Sequence, residues 1–190
     1  VISVYGALKA GGAYVPLDPF APAARLSYVI RDCGIRHLIT KPDKSAVVEE
    51  ILAGDSPVEH AIGLPSGFGG RAAATSWEDV AQLPVTDPGD LGRVEQDLAY
   101  ILYTSGSTGV PKGIMHTHRS GLSFAEWAAT EYGLRPEDRL SNHAPLHFDL
   151  STFDLFAGHI AGAATVIIPE GVTKFPVSLA KLMESERISV

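Results

Sequence analysis

Short apolar runs alternate with amphipathic stretches along the whole chain, and the two periods separate cleanly. Apolar residues at i, i+3, i+4 and i+7 mark helices, while runs of four to seven apolar residues bounded by Gly, Pro or Asp mark strands. The pattern predicts an opening helix (VISVYGALKAGG), a strand at Tyr14–Leu17, a helix at Pro22–Cys33 and a strand at His37–Thr40. A helix at Lys44–Leu52 and a strand at Val58–Ile62 follow. Residues 63–95, rich in Gly, Pro and Ala, then read as a long irregular surface excursion rather than a domain boundary.

The second half repeats the alternation. Leu98–Tyr103 (LAYILY) reads as a buried strand and Gly113–His118 as a second one, with a helix starting near Arg119. Leu122, Ala125, Ala129 and Tyr132 share a helical face that Gly133 ends as a C′ residue. A strand at Arg139–His143, a helix at Asp149–Ile160, a strand at Thr165–Ile168 and a helix at Pro176–Glu186 complete the order. Strands alternating with helices predict an α/β fold with mixed, mainly parallel sheets and crossover helices.

Composition narrows the function classes. With 190 residues and 45% hydrophobic side chains there is enough apolar surface for one sizeable core. A net charge of −7 argues against a phosphate-backbone binder, so nucleic acid is not an expected partner. No apolar run reaches the roughly 20 residues that span a bilayer, so no membrane partner is expected and the cytoplasm is the default location. The single cysteine, Cys33, shares a helical face with Leu26, Val29 and Ile30 and reads as core.

The candidate chemistry lies in Thr104–Gly113, TSGSTGVPKG. Glycines at 106, 109 and 113 permit unusual backbone conformations and close approach. Thr104, Ser105, Ser107, Thr108 and successive N–H groups can donate to phosphate oxygens, and Lys112 adds positive charge. The Walker spacing is not met: Pro111 stands where the second glycine belongs, Gly113 stands where Ser or Thr belongs, and a strand rather than a helix follows. From composition alone, a phosphate cradle and a plain flexible turn both remain open.

LAYILYTSGSTGVPKG nonetheless resembles the phosphate-binding signature of the adenylate-forming superfamily, which contains amino-acid adenylation domains, acyl-CoA and aryl-CoA ligases, and luciferases. LKAGGAYVPLD at Leu8–Asp18, with PAARLSYVIRDCGIRHLIT after it, and FDLS at Phe148–Ser151 agree in order and spacing. The resemblance implies ATP and Mg²⁺ as cofactors, with Thr104, Ser105, Gly106, Ser107, Thr108, Gly109 and Lys112 around the β- and γ-phosphates. It is strongest to the amino-acid-activating branch, in nonribosomal peptide synthetases and stand-alone carrier-protein ligases. There Asp149 would pair with the substrate's α-ammonium, Leu150 and Phe153 would line the side-chain pocket, and His147 would stand at its mouth. Asp149 as a helix cap is the competing reading.

The same resemblance implies an amino acid substrate, a carrier protein as partner, and that partner's phosphopantetheine thiol as acceptor. The superfamily's catalytic lysine maps beyond Val190, so no catalytic residue is expected within residues 1–190. The opening at Val1 without Met, inside a helical pattern, predicts a partial N-terminal AMP-binding subdomain truncated at both ends, inactive by itself. A fatty- or aryl-acid ligase, or a non-catalytic nucleotide-binding relative, would carry the same signature. His116 with His118 and His143 with His147 lack a carboxylate or cysteine at ligand spacing, so no metal site is expected. Trp77 and Trp127 read as packing residues.

Overall fold

Three strands of one parallel sheet alternate with helices in residues 17–89, one of two compact units. The computed structural model describes residues 1–68, 70–104 and 110–190. The first helix of the chain, α1 (Ile2–Lys9), belongs to the other unit. This one begins with α2 (Ala23–Asp32), β1 (His37–Ile39), α3 (Ser45–Ala53) and β2 (His60–Ile62), and ends with β3 (Ala73–Thr75) and α4 (Trp77–Ala81). Strand order is β1-β2-β3, with Leu38 opposite Ala61 and Ala61 opposite Ala74. Parallel neighbours need a crossover, and α3 supplies the one between β1 and β2.

The core of this unit follows the sequence pattern. Leu26 and Ile30 of α2, Leu38 of β1, Val48 and Ile51 of α3 and Leu64 after β2 are buried together. Cys33 is half-buried at the C-cap of α2. The stretch read as irregular is partly built: β3 joins the sheet, and α4 begins with a capping box. Ser76 Oγ accepts the Asp79 N–H at 3.0 Å, and Asp79 accepts the Ser76 N–H in return. Trp77 stays 38% exposed, its Nε1 donating to Thr40 O at 3.2 Å.

The second unit comprises Val1–Pro16 and Asp90–Val190. Besides α1 it contains the antiparallel pair β4 (Leu98–Thr104) and β5 (Lys112–Thr117), and α5 (His118–Glu131). β6 (Arg139–Asn142) and β7 (Ala164–Ile167) form a parallel pair, joined through a helical segment at residues 151–160 that ends as α6 (Gly158–Ile160). α7 (Glu170–Thr173) and α8 (Pro176–Ser185) close the chain, the latter with Pro at its start as predicted. The sheets are mixed and mainly parallel.

Two expectations are corrected here. The strand at Tyr14–Leu17 is a single parallel bridge, Tyr14 to Tyr100; Pro16 has no N–H to extend it. The buried face of α5 is Gly121, Ala125 and Ala128, leaving Leu122 and Tyr132 50% and 63% exposed. Small side chains win because the Tyr100 ring comes so close that a Cβ on Gly121 would lie 3.1 Å from its Cε1. Gly133 does end α5, at φ +59°, with the Leu134 N–H on Ala129 O and its own N–H on Thr130 O.

Candidate active site

β4 delivers one half of the site. Its antiparallel register with β5 sets Thr104 directly opposite Lys112, so these two exposed residues form the mouth of a hairpin. The sequence-based reading that the loop joins two strands therefore holds. Ser105, Gly106, Ser107, Thr108 and Gly109 lie outside the described residues. Gly113 does not take a positive φ. Its lack of a side chain serves packing instead, since a Cβ there would meet Ile101 Cγ2 at 2.9 Å and the Tyr103 ring at 3.1 Å.

An aromatic stack fixes the base of the hairpin. Tyr100, buried on β4, stacks on Tyr14 at 5.4 Å, on His116 of β5 at 4.6 Å and on Phe156 at 6.1 Å. Burial pushes the phenol pKa of Tyr14 and Tyr100 upward, so both stay neutral. β5 ends at Thr117, whose Oγ1 accepts the Ser120 N–H at 3.1 Å as the N-cap of α5. His118 thus opens a helix and does not share a strand face with His116. Among the described residues no group of three His, Cys, Asp or Glu is placed to hold a metal ion.

The other half follows the carboxyl end of β6, where open α/β sheets usually place ligands. A loop at residues 143–150 leads into the helical segment, which begins two residues later than expected, at Ser151. Asp149 is exposed at this entry. Its carbonyl accepts the Thr152 N–H at 2.9 Å and the Thr152 hydroxyl at 2.6 Å, and its Oδ1 accepts the Leu150 N–H at 2.9 Å. The carboxylate makes no bond to the second or third N–H of the helix, the bond that defines a side-chain cap.

Leu150 is 68% exposed beside it. Phe153 is half-buried, edge-on to Tyr132 at 5.3 Å, and Tyr132 continues through Trp127 to Phe124 in a partly exposed aromatic row. Half-buried His147 leans on exposed Phe148 at 4.9 Å. His147, Asp149 and Leu150 therefore lie on the loop, and Phe153 on the helical segment that follows it. Phe156, one turn further on, ties this helical segment to Tyr100 of the hairpin.

Sequence reasoning missed Asp154 and Asn142. Both are buried, at 9% and 8% exposure, and Asn142 Nδ2 donates to Asp154 Oδ2 at 3.1 Å. Burial pushes the Asp154 carboxyl above the usual carboxylate range, while the Asn142 amide, the Ala144 N–H and the charge of His143 pull it down. The available signal was an acidic residue inside the apolar run TFDLF, a place a carboxylate occupies only with partners.

All 190 residues, 1–190, match the AMP-binding enzyme family. The chain belongs to that family. It is 36% identical, over its full length, to the L-proline–[L-prolyl-carrier protein] ligase of Pseudomonas fluorescens, of which it covers 36%. It is also 36% identical over its full length to gramicidin S synthase 2 of Brevibacillus brevis, covering 4% of that protein. Among solved structures, the nonribosomal peptide synthetase FmoA3 superposes with a TM-score of 0.74 at 28% identity, over 98% of this chain and 18% of FmoA3. This AMP-binding chain thus spans about a third of the proline ligase. No described helix is long and apolar enough to cross a membrane.

Proposed function

We propose that the polypeptide carrying this chain activates an amino acid with ATP as the aminoacyl adenylate and passes it to the phosphopantetheine thiol of a carrier protein. The observation that carries the reading is the Thr104–Lys112 pairing at the mouth of a glycine- and hydroxyl-rich hairpin, in a chain that matches the AMP-binding family throughout. The likeness to a carrier-protein ligase supports the amino-acid branch.

In this reading the substrate carboxylate oxygen attacks the α-phosphorus, the bond to the bridging oxygen breaks, and pyrophosphate leaves. Both reactants are anions, so catalysis is alignment plus charge stabilisation. Thr104, Ser105, Gly106, Ser107, Thr108, Gly109 and Lys112 hold the β- and γ-phosphates. Mg²⁺ arriving with ATP would supply further positive charge to the phosphates that these residues hold. Asp149 receives the α-ammonium, Leu150 and Phe153 bound the side chain, and His147 stands at the entrance. The catalytic lysine is assigned outside residues 1–190, which alone are expected to give no exchange.

The test is amino-acid-dependent pyrophosphate exchange by the intact enzyme, screened over amino acids and over fatty and aryl acids. Asp149→Ala should lower kcat/KM for the amino acid about 100-fold or more, since an ammonium left unpaired in a closed pocket costs about 3 kcal/mol or more. Lys112→Ala should lower kcat/KM for ATP about 30-fold, the loss of one charge-assisted contact. Exchange driven only by a plain carboxylic acid, indifferent to Asp149, would replace this reading with an acyl- or aryl-acid ligase. No nucleotide binding at all would leave a non-catalytic relative.

A further inference from the structure

The loop that carries His147 and Asp149 has no regular secondary structure, yet buried polar side chains of the strand before it and the helix after it fasten it at both ends. At its end, Ser151 Oγ lies 2.6 Å from Phe148 O and 3.2 Å from Leu146 O, and Thr152 Oγ1 donates to Asp149 O at 2.6 Å. Ser151 and Thr152 are both buried. At its start, Asn142 Nδ2 reaches Asp154 Oδ2 at 3.1 Å and Ala144 O at 3.4 Å, so Asp154 meets the loop through the Asn142 amide.

Asp154 is the second residue of a π-helical stretch, Phe153–Ala157. Such wide turns are uncommon and concentrate at functional sites. Hydroxyls from two other elements hold this one: Thr165 Oγ1 of β7 donates to Asp154 O at 2.9 Å, and Tyr5 OH of α1 donates to Leu155 O at 3.0 Å. Packing alone does not call for a carboxylate here. A well-packed apolar residue usually costs no more than a buried charge with its partners.

We propose that Asp154 is a positioning residue: with Asn142 it sets the loop at residues 143–150, and through the loop the direction of Asp149, for the substrate amine. The inference rests on the reading of Asp149 as amine partner. Asp154 is assigned no contact with substrate; its carboxylate accepts from Asn142, whose amide reaches the loop backbone at Ala144 O.

The experiment is a mutant cycle in the intact enzyme, reading KM for amino acid and for ATP separately by pyrophosphate exchange. Asp154→Ala should raise the amino-acid KM about tenfold, a coupling typical of side chains in one network, and leave the ATP KM within about twofold. Asp154→Asn, which keeps an oxygen toward Asn142, should recover most of the loss. In an Asp149→Ala background, adding Asp154→Ala should change the amino-acid KM less than about twofold, because nothing remains to be aimed. The same tenfold penalty in that background, or both KM values rising together, would overturn the proposal.

Should Asp154→Ala fail to fold, Asn142→Ala gives the same readouts, expected at about threefold and again vanishing without Asp149. The two readings fail differently. If Asp149→Ala raises the amino-acid KM while Asp154→Ala leaves it unchanged, the amine reading stands and loop positioning falls. If neither moves it, both fall.

Discussion

The parallel sheet of residues 17–89 and the loop at residues 143–150 are held by opposite means. Around the sheet, aliphatic side chains such as Ile30, Ile51 and Leu64 are almost completely removed from water, and no charged group is among them. Around the loop, a serine, a threonine, an asparagine and an aspartate do the holding, each buried and each hydrogen-bonded. Apolar burial is strong and non-directional, whereas hydrogen bonds add little net stability but fix direction. A scaffold needs the first property, and a loop assigned to hold a carboxylate in one direction needs the second.

That contrast can be broken by substitution. The largest effect is expected at Ile30, fully buried on α2. Ile30→Ala should cost about 4 kcal/mol of unfolding free energy from transfer and cavity terms, read from the urea midpoint. The amino-acid KM of the protein that remains folded should not change. A shift in KM would mean the core also steers the site.

Ser151→Ala should behave in reverse. It removes the donor to Phe148 O and Leu146 O, so stability falls by only about 1 to 2 kcal/mol while the amino-acid KM rises several-fold. Equal stability loss without a change in KM would reduce Ser151 to a core filler and blur the distinction.

The smallest effect is the pH response of Asp154. Burial raises its pKa in the folded state above the unfolded value, so the penalty for its charge is fully present above the folded pKa. It is relieved as pH falls through that value toward the ordinary carboxylate range. Wild-type protein should therefore gain stability relative to Asp154→Asn as pH is lowered from neutrality across that window, measured by urea unfolding at each pH. A difference that is flat or of opposite slope would show that its partners outweigh burial.

Most elements were legible in the sequence because each carries its own period. α2 and α3 show i, i+3, i+4 spacing, and the apolar runs at Leu98 and Thr165 became β4 and β7 within a residue or two. The failures have local causes. Pro16 cut the strand after Tyr14 to one bridge, and β3 is only three residues long with Ala at two of them, too weak a signal to stand out of a Gly- and Pro-rich stretch. The capping box at Ser76 and Asp79 was the available sign of α4. The face of α5 was misread because helical periodicity marks large apolar side chains, whereas the Tyr100 ring admits only small ones.

For the candidate site, Lys112, Asp149, Leu150 and Phe153 were readable as a signature, and their gathering on a hairpin and a turn was a fair inference from strand ends. Asp154 was legible only as a carboxylate inside the apolar run TFDLF, and its partner Asn142, 12 residues away, was not readable.

By itself, then, the sequence determined most of the strands and helices and which residues carry the family signature, because local period and residue type suffice for both. Only the tertiary structure decided which buried side chains hold the loop around Asp149. Those depend on hydrogen bonds between separate elements of the chain, such as Asn142 to Asp154 and Tyr5 to Leu155. Their energy exists only once folding has brought the partners within about 3 Å.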